Sequence, residues 1–319
     1  MEHPLTDLLI LSLAAIVDLL FGEPPPILHP TVWMGKVSEF IDRRFRLGRP
    51  SAERLQGVFL AVIVVSLFGV PTYYGLNSIN NYLGIVPYLI ASVLLLKTTI
   101  AITAMERFTL PIADAANEGN YGRARELLRN VVRRDPNQLT DQQVLSATVE
   151  TIAEGTVDGV TGPLFLYSLL GVPGAVAYRV INTLDSTVGY KDRTYLYVGW
   201  FSATLDSIAN YFPSRITGLL TIVSSAILRL DQPNCTRILA RDHAKTASVN
   251  AGWPMSAVAG ALGVKLEKPG YYAVGEPTRM LEPSDISKAL KIMKLNVLLF
   301  AILVAVPLIA LFRMLVPIV

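Results

Sequence analysis

Three apolar blocks, residues 55–75, 85–105 and 295–318, each come close to the roughly 20 residues that a helix needs to cross bilayer hydrocarbon. Backbone polar groups at that depth must be satisfied within the segment, so helices are the expected form. Apolar residues make up 52% of the 319 and charged residues 17%, and the mean hydropathy is +0.45. The apolar residues cluster in blocks rather than spreading at helical or strand periods, which points to spans and not to a soluble core. The sequence therefore predicts an all-α, polytopic integral membrane helical bundle, a single membrane-embedded domain over 1–319 with polar regions at 106–158 and 229–294.

A fourth segment, Leu5 to Phe21, is bracketed by Asp7 and Asp18. Its core is nearer the length of a buried or interfacial helix, and we read it as a span. No basic residue precedes it in MEHPLTD, so it lacks the charged start of a signal peptide and reads as a retained helix. Cys235 is the only cysteine, which excludes an intramolecular disulfide and a thiolate-rich metal site. It reads as a small buried or loop residue. A net charge of +3 carries no concentrated basic footprint, so no nucleic-acid partner is expected.

Basic residues set the orientation. Lys36, Arg43, Arg44, Arg46, Arg49 and Arg54 follow the first segment, no charge lies in PTYYGLNSINNYLG, and Arg107, Arg123, Arg125, Arg129, Arg133 and Arg134 follow the third. The alternation predicts a multi-pass cell-membrane protein with both termini outside and the main polar loops cytoplasmic. Residues 160–178, interrupted by Gly171, Pro173 and Gly174, and the short run 213–228 are either a crossing pair or a re-entrant hairpin, and the choice decides the side on which 181–212 lie. In the polar region, GNYGRARELLRNVVRRD predicts a helix with Leu127, Leu128, Val131 and Val132 on one face, ended by Asp135 and Pro136. A second helix follows, capped by Thr140 or Asp141.

Glu150, Glu154 and Asp158, spaced i, i+4, i+8, drift only about 40° per step around a helix and share a face. No Lys or Arg interrupts them between Val144 and Gly162. Three hard oxygen ligands beside an apolar segment suit Mg²⁺, whereas the plainer account is a polar helix face with partners elsewhere. NTLDSTVGYKDR supplies Asn182, Asp185, Tyr190 and Lys191, a polar pocket for a phosphorylated ligand or a simple connecting loop. Asp206 and Asn210 share a helical face. Arg215 follows Pro213 at a helix start, where it receives an anion or snorkels. Asn250 and Trp253 in NAGWP form a turn with an aromatic plate, either a membrane-interface tryptophan or a platform for a planar ligand. Asp18, Glu23 and His29 surround GEPPPILHP, where a histidine before proline is more often structural than a ligand. Walker-type GxxxxGK[ST], GxGxxG, HExxH and GxSxG are all absent, so any nucleotide is held by other means.

Six stretches, DLLFGEPPPILHPTVWMGK, RNVVRRD, ATVETIAEGTVDGVTGPLF, PGAVAYRVINTLDSTVGY, DSIANYFPSR and NAGWPMSAVAGALGVKLEKPGYY, run from Asp18 to about Tyr272. Together they resemble the cobinamide synthase family, the adenosylcobinamide-phosphate synthases of cobalamin biosynthesis. The chain departs from the family pattern at Gly155, where Asn usually follows Glu154, and at Ser207, where a second acid usually follows Asp206. The resemblance implies an ATP- and Mg²⁺-dependent acid-amine ligase that joins a carboxylate of adenosylcobyric acid to aminopropanol or its O-phosphate. On that reading Glu150, Glu154 and Asp158 serve the metal and nucleotide phosphates, Lys191 and Arg215 hold phosphates, and Asp185 or Asp206 accepts the amine proton. Asn182 and Tyr190 belong to the phosphate pocket, Asn250 and Trp253 line the corrinoid side, and ATP use favours a re-entrant hairpin that leaves 181–212 cytoplasmic. Expected partners are the corrinoid, aminopropanol phosphate, the lipid bilayer and later membrane enzymes of cobalamin assembly. The rival readings are an ion-coupled transporter, suggested by acids beside broken apolar segments, and a non-catalytic scaffold for corrinoid enzymes.

Overall fold

The computed structural model describes residues 4–46, 50–132, 134–189 and 195–315. In chain order its helices are α1 (Pro4–Phe21), α2 (Pro30–Phe45), α3 (Pro50–Leu83), α4 (Ile85–Lys97), α5 (Ile102–Asn117), α6 (Tyr121–Leu128), α7 (Asp141–Thr156) and α8 (Gly162–Val188). There follow α9 (Trp200–Ala209), α10 (Tyr211–Ile227), α11 (Gln232–Asp242), α12 (Gly252–Leu262), α13 (Ser284–Phe300) and α14 (Val306–Leu315), with strands β1 (Lys265–Lys268) and β2 (Tyr272–Gly275) between α12 and α13. Wide, π-type turns at Val157–Thr161 and Ala301–Ala305 join α7 to α8 and α13 to α14. Two compact units divide the chain: Met1–Ala101, Gly162–Ala209 and Leu303–Val319 form the first, and Ile102–Thr161 with Asn210–Ile302 the second.

In the first unit α1 resolves the difficulty of its two acids. Asp7, Ile10, Leu11, Ala14 and Asp18 recur at helical spacing on its buried side, so both carboxylates face protein. Leu5, Leu9, Ile16 and Leu20 are exposed on the other side, as an apolar face against lipid requires. Among the described residues, five helical stretches are long and apolar enough to cross a membrane: Pro4–Phe21, Ser51–Leu83, Ile85–Asn117, Asp141–Val188 and Ser284–Phe312.

The fourth of these does not run straight. Gly171 has φ 68° and ψ −160° in the middle of α8, a backbone region open essentially only to glycine. The consequence is a reversal. A β-carbon placed on Gly162 would lie 2.6 Å from a ring carbon of Tyr178, and one on Gly174 would lie 2.5 Å from the carbonyl oxygen of Leu166. A straight helix would separate residues 162 and 178 by roughly 24 Å. The two arms of α8 therefore pack against each other. The apolar residues between Asp158 and Gly171 extend only about 18 Å as a helix, short of the roughly 30 Å hydrocarbon core. The chain reverses direction at Gly171, inside the first of the two broken stretches.

The second unit holds the polar helices. Asn120 caps α6 through Arg123 N–H, but the helix ends at Leu128. Val131 and Val132 then follow in a turn closed on the Leu128 carbonyl, so the longer helix expected through them is not formed. Thr140 caps α7 in a reciprocal box with Gln143, which selects it over Asp141. The β1–β2 hairpin was not expected from the sequence. It pairs Leu266 with Val274, both fully buried. Its turn is Lys268-Pro269-Gly270-Tyr271, with Gly270 at φ +77° and Tyr271 N–H donating 2.9 Å to the Lys268 carbonyl, the type II arrangement that Pro-Gly favours. The small residues of α12 let α11 approach closely. A β-carbon on Gly260 would stand 2.8 Å from the Cys235 Cα, and Asn234 donates 2.7 Å to the Gly260 carbonyl. Cys235 is buried there, as the buried alternative of the sequence reading has it, and burial pushes its thiol up to about 11.

Candidate functional site

Within the second unit, three of the residues singled out in the sequence converge. Arg215, in the first turns of α10, donates to Asn250 Oδ1 at 3.0 Å and to the Tyr211 carbonyl at 2.7 Å. Its guanidinium lies 3.5 Å from the centroid of the Tyr211 ring and 5.2 Å from that of Trp253, a stacked geometry available to a planar cation. Ser214 also donates to Asn250, at 3.4 Å. Asn250 is nearly buried and Trp253 half-buried. His243 packs against Trp253 with centroids 4.5 Å apart and the rings tilted by 44°, and its Nδ1 is 3.0 Å from the Leu239 carbonyl. The arrangement is a cation locked between two aromatic rings at the start of a helix, where backbone N–H groups add positive potential.

The acidic side of the same unit comes from α7 and the turn beyond it. Asn210, the residue before α10, donates 3.2 Å to Asp158 Oδ1, and Thr161 and Thr217 share a 2.8 Å hydrogen bond. Asp158 is half-buried and Glu154 exposed. Glu150 is turned inward, 5% exposed. It accepts from Ser146 at 2.6 Å and from the Tyr272 hydroxyl at 2.7 Å, and pairs with Arg134 at 3.3 Å. Burial holds the Tyr272 phenol far above its ordinary range, and the charges of Glu150 and Glu154 raise it further. Ser146 also accepts from Glu267 N–H at 2.8 Å, so Glu150 fastens the β-hairpin to α7.

The three-carboxylate face inferred from the spacing is thus not formed. Among the described residues no three His, Cys, Asp or Glu side chains are arranged to hold a metal. The 40° drift assumes an uninterrupted α-helix, whereas Asp158 lies in the wide turn Val157–Thr161. Of the three, Glu154 and Asp158 are the acids left with solvent exposure. Gly155 between them has its own reason: a β-carbon there would lie 3.2 Å from Met105 Sδ, so the asparagine of the family pattern would need Met105 to move.

In the first unit Asn182, nearly buried, donates 3.2 Å to Asp206 Oδ1. Asp185 is half-buried, nearly one turn further along α8. Asp206 lies in α9, which ends at Ala209, and Asn210 is the turn residue before α10. Tyr190 and Lys191 lie outside the described residues. The first unit also contains a charged cluster that the sequence reading passed over in part. Lys97, at the end of α4, is 2.9 Å from Glu23 and 3.4 Å from Asp18, with all three side chains largely or fully buried. His29 Nδ1 accepts from Thr31 N–H at 3.2 Å and so caps α2. That leaves Nε2 as the protonated nitrogen, which donates 2.9 Å to Glu23. Burial alone would raise the Glu23 carboxyl, but the hydrogen bonds from His29 and Lys97 and the Lys97 charge outweigh it and hold the group below its ordinary range. His29 is structural, as its sequence context suggested. Lys97 was legible as a lone cation closing an apolar run. Tyr211 was legible from its i, i+4 spacing to Arg215, while Tyr272 and His243 had no such signal.

Among the described residues every element apart from one two-stranded hairpin is helical, and five stretches reach membrane-crossing length and apolarity; the fold defines a polytopic helical membrane protein with polar helices and a stacked cationic site. The family model described as CobD/Cbib protein matches residues 11–293. The chain belongs to the CobD/Cbib family. It is 41% identical over 301 residues to the "Probable cobalamin biosynthesis protein CobD" of Methanothermobacter thermautotrophicus, covering 94% of this chain and 98% of the relative. It is 39% identical over 283 residues to the "Cobalamin biosynthesis protein CobD" of Dehalococcoides mccartyi, covering 89% and 91%. The protein of that name from Pelobacter propionicus is 33% identical over 308 residues, covering 93% and 94%. No solved structure matches.

Proposed function

We propose that this chain acts in cobalamin biosynthesis as an ATP- and Mg²⁺-dependent ligase, forming the amide between adenosylcobyric acid and aminopropanol or its O-phosphate. The observation that carries the reading is the convergence of Arg215, Asn250 and Trp253 in the unit that also bears Glu154 and Asp158. A carboxylate and an amine do not condense in water, so ATP would supply the phosphoryl group that activates the carboxylate, with Mg²⁺ screening its charge. The donor set fits that metal: Mg²⁺ is commonly bound through one or two carboxylates plus phosphates and water, which suits Glu154 and Asp158 without Glu150.

Each remaining group has a role in its own unit. Arg215, pre-oriented by its two rings and Asn250, binds a phosphate without having to be ordered first. Trp253 offers an apolar face to a planar corrinoid, and Asn250 keeps the cation beside it in place. Asp206, oriented by Asn182, or Asp185 accepts the proton lost by the attacking amine. Lys191 and Tyr190 stay candidates for phosphate binding on their sequence context alone. The polar regions 106–158 and 229–294 face the cytoplasm, where ATP is supplied, and later membrane enzymes of cobalamin assembly take the product.

One feature favours a second reading. Charges buried in a membrane unit, Asp18, Glu23 and Lys97, together with a helix broken at Gly171, are what ion-coupled carriers also contain. The deciding experiment is amide formation from adenosylcobyric acid and aminopropanol phosphate by detergent-purified protein, with and without ATP and Mg²⁺. Wild type should turn over only with both. Glu154→Gln should lose at least about a hundredfold, the scale of a lost charge-stabilising group, with its melting temperature unchanged. Undiminished turnover in Glu154→Gln would discard the metal assignment, and no turnover in folded wild type would bring the carrier forward.

A further inference from the structure

We propose that His243 is a base of the stacked cationic site: its Nε2 takes the proton that a small phosphorylated amine must lose before it can attack, while Arg215 holds the phosphate of the same molecule. This assignment rests on the ligase reading above, and it selects the phosphorylated form of the amine. Arg215 is equipped for the phosphate. Its hydrogen bonds to the Tyr211 carbonyl, Ser214 and Asn250 all leave from Nη1, and among the described residues it pairs with no carboxylate. Nε and Nη2 therefore remain for an oxyanion, on a guanidinium already held in place by its rings.

His243 ends α11 and is half-buried. A carbonyl oxygen can only accept, so the Nδ1 that lies 3.0 Å from the Leu239 carbonyl carries the proton. The neutral ring then has its lone pair on Nε2, which has no hydrogen-bond partner among the described residues. Closing the helix uses Nδ1 alone and leaves Nε2 for chemistry. Gly252 is what brings the histidine to this place. A β-carbon there would collide with the His243 carbonyl oxygen and stand 2.8 Å from Thr246 Oγ1, so the segment from His243 to Trp253 closes on itself only with glycine at that position. The Trp253 ring centroid is 4.5 Å from that of His243 and 5.2 Å from the Arg215 guanidinium. Cation and base are thus no further apart than those two distances together.

An amino alcohol phosphate carries its phosphate and its ammonium on a bridge of two carbons and the ester oxygen, short enough to lie between the two groups. The ammonium has no lone pair. Nε2 removes one N–H proton and leaves the electron pair on nitrogen. That pair forms the C–N bond to the activated carboxyl carbon, whose bond to the phosphate oxygen breaks with its electrons leaving on phosphate. The proton on Nε2 passes to solvent, and the one shed by nitrogen during the attack is a separate proton.

The test offers the detergent-purified full chain, with adenosylcobyric acid, ATP and Mg²⁺, two nucleophiles at neutral pH. Aminopropanol phosphate is an ammonium there, whereas hydroxylamine is largely unprotonated and carries no phosphate. Wild type should form the amide with the first and the hydroxamate with the second. His243→Asn keeps an N–H donor near the position of Nδ1, and should lose amide formation about a hundredfold or more while hydroxamate formation stays within about twofold. Arg215→Gln should weaken binding of aminopropanol phosphate about tenfold or more, read by calorimetry without nucleotide, and His243→Asn should leave that binding close to wild type. If the melting temperature shows that His243→Asn does not fold, His243→Gln takes its place. Equal loss of both products in the folded variant, or loss of neither, would overturn the proposal. No hydroxamate from wild type would sink the ligase reading itself, and this assignment with it.

Discussion

Lys97 shows how little latitude a buried charge has. Its ammonium stands against two carboxylates, Asp18 and Glu23, so Lys97→Met would leave both acids without their cation in a low-dielectric setting. The expected loss is about 3–5 kcal/mol, read as a lowered melting temperature in detergent. Adding Asp18→Asn and Glu23→Gln to Lys97→Met should recover much of it, because the two buried carboxylate charges would be removed together with their shared cation. Cys235 gives a second residue-scale expectation. With its thiol pushed up to about 11, maleimide labelling at pH 7.5 should be slow in folded protein and fast once the chain is unfolded. Glu276 gives a third. Hydrogen bonds from Arg237, and then from Arg241, hold its carboxyl down at about 2 from an ordinary 4.5. A depressed carboxylate stabilises the fold fully above the unfolded value, and that support is lost as pH falls from 4.5 through 2. Because Glu276 is solvent-facing, the effect is small and fades with salt. Glu276→Gln should flatten the acid limb of melting temperature against pH at low salt, relative to wild type.

At the scale of elements, the predicted features that held are those with a length or cap signature. The block at 55–75 lies within α3, the block at 85–105 is helical on both sides of a break at 98–101, and the described part of the block at 295–318 is helical through Leu315, while α7 starts where the Thr140–Gln143 box starts it. The features that failed depend on partners far along the chain. The α6 helix stops at Leu128 although its apolar pattern continues, and the β1–β2 hairpin is held by Ser146 and Glu150, more than a hundred residues upstream. Helix contacts in the second unit are similarly specified by polar pairs: Asn296 donates 2.8 Å to Thr221 and accepts 2.7 Å from Ser224, tying α13 to α10. Asn296→Leu should destabilise by about 1–2 kcal/mol, the usual worth of such bonds between membrane helices, measured by unfolding in mixed micelles.

For the whole molecule, the candidate site was legible as a set of residues but not as a place. Arg215, Asn250 and Trp253 were each marked by local sequence, yet their convergence depends on α10 packing on the start of α12. Glu150 looked equivalent to Glu154 because periodicity reports angle and not which side meets protein. Interleaving adds to the difficulty, since the first unit is assembled from three separate stretches and the second from two. Orientation is the property that charge counting predicts most directly. With the native thiol inert, Asn81→Cys should label in intact cells with a membrane-impermeant maleimide, and Glu118→Cys only after permeabilisation; the reverse pattern would invert the topology.

The reversal at Gly171 bears on how the protein is made. Its glycine-only backbone angles mean that Gly171→Ala should cost about 1–3 kcal/mol, but the heavier demand is kinetic. A short apolar arm that turns back midway gives the insertion machinery no single segment to pass into lipid. The contact between the two arms of α8 can form only once both have left the ribosome. Closure of the hairpin therefore follows synthesis of its second arm, and a nascent chain halted near residue 171 would lack that contact.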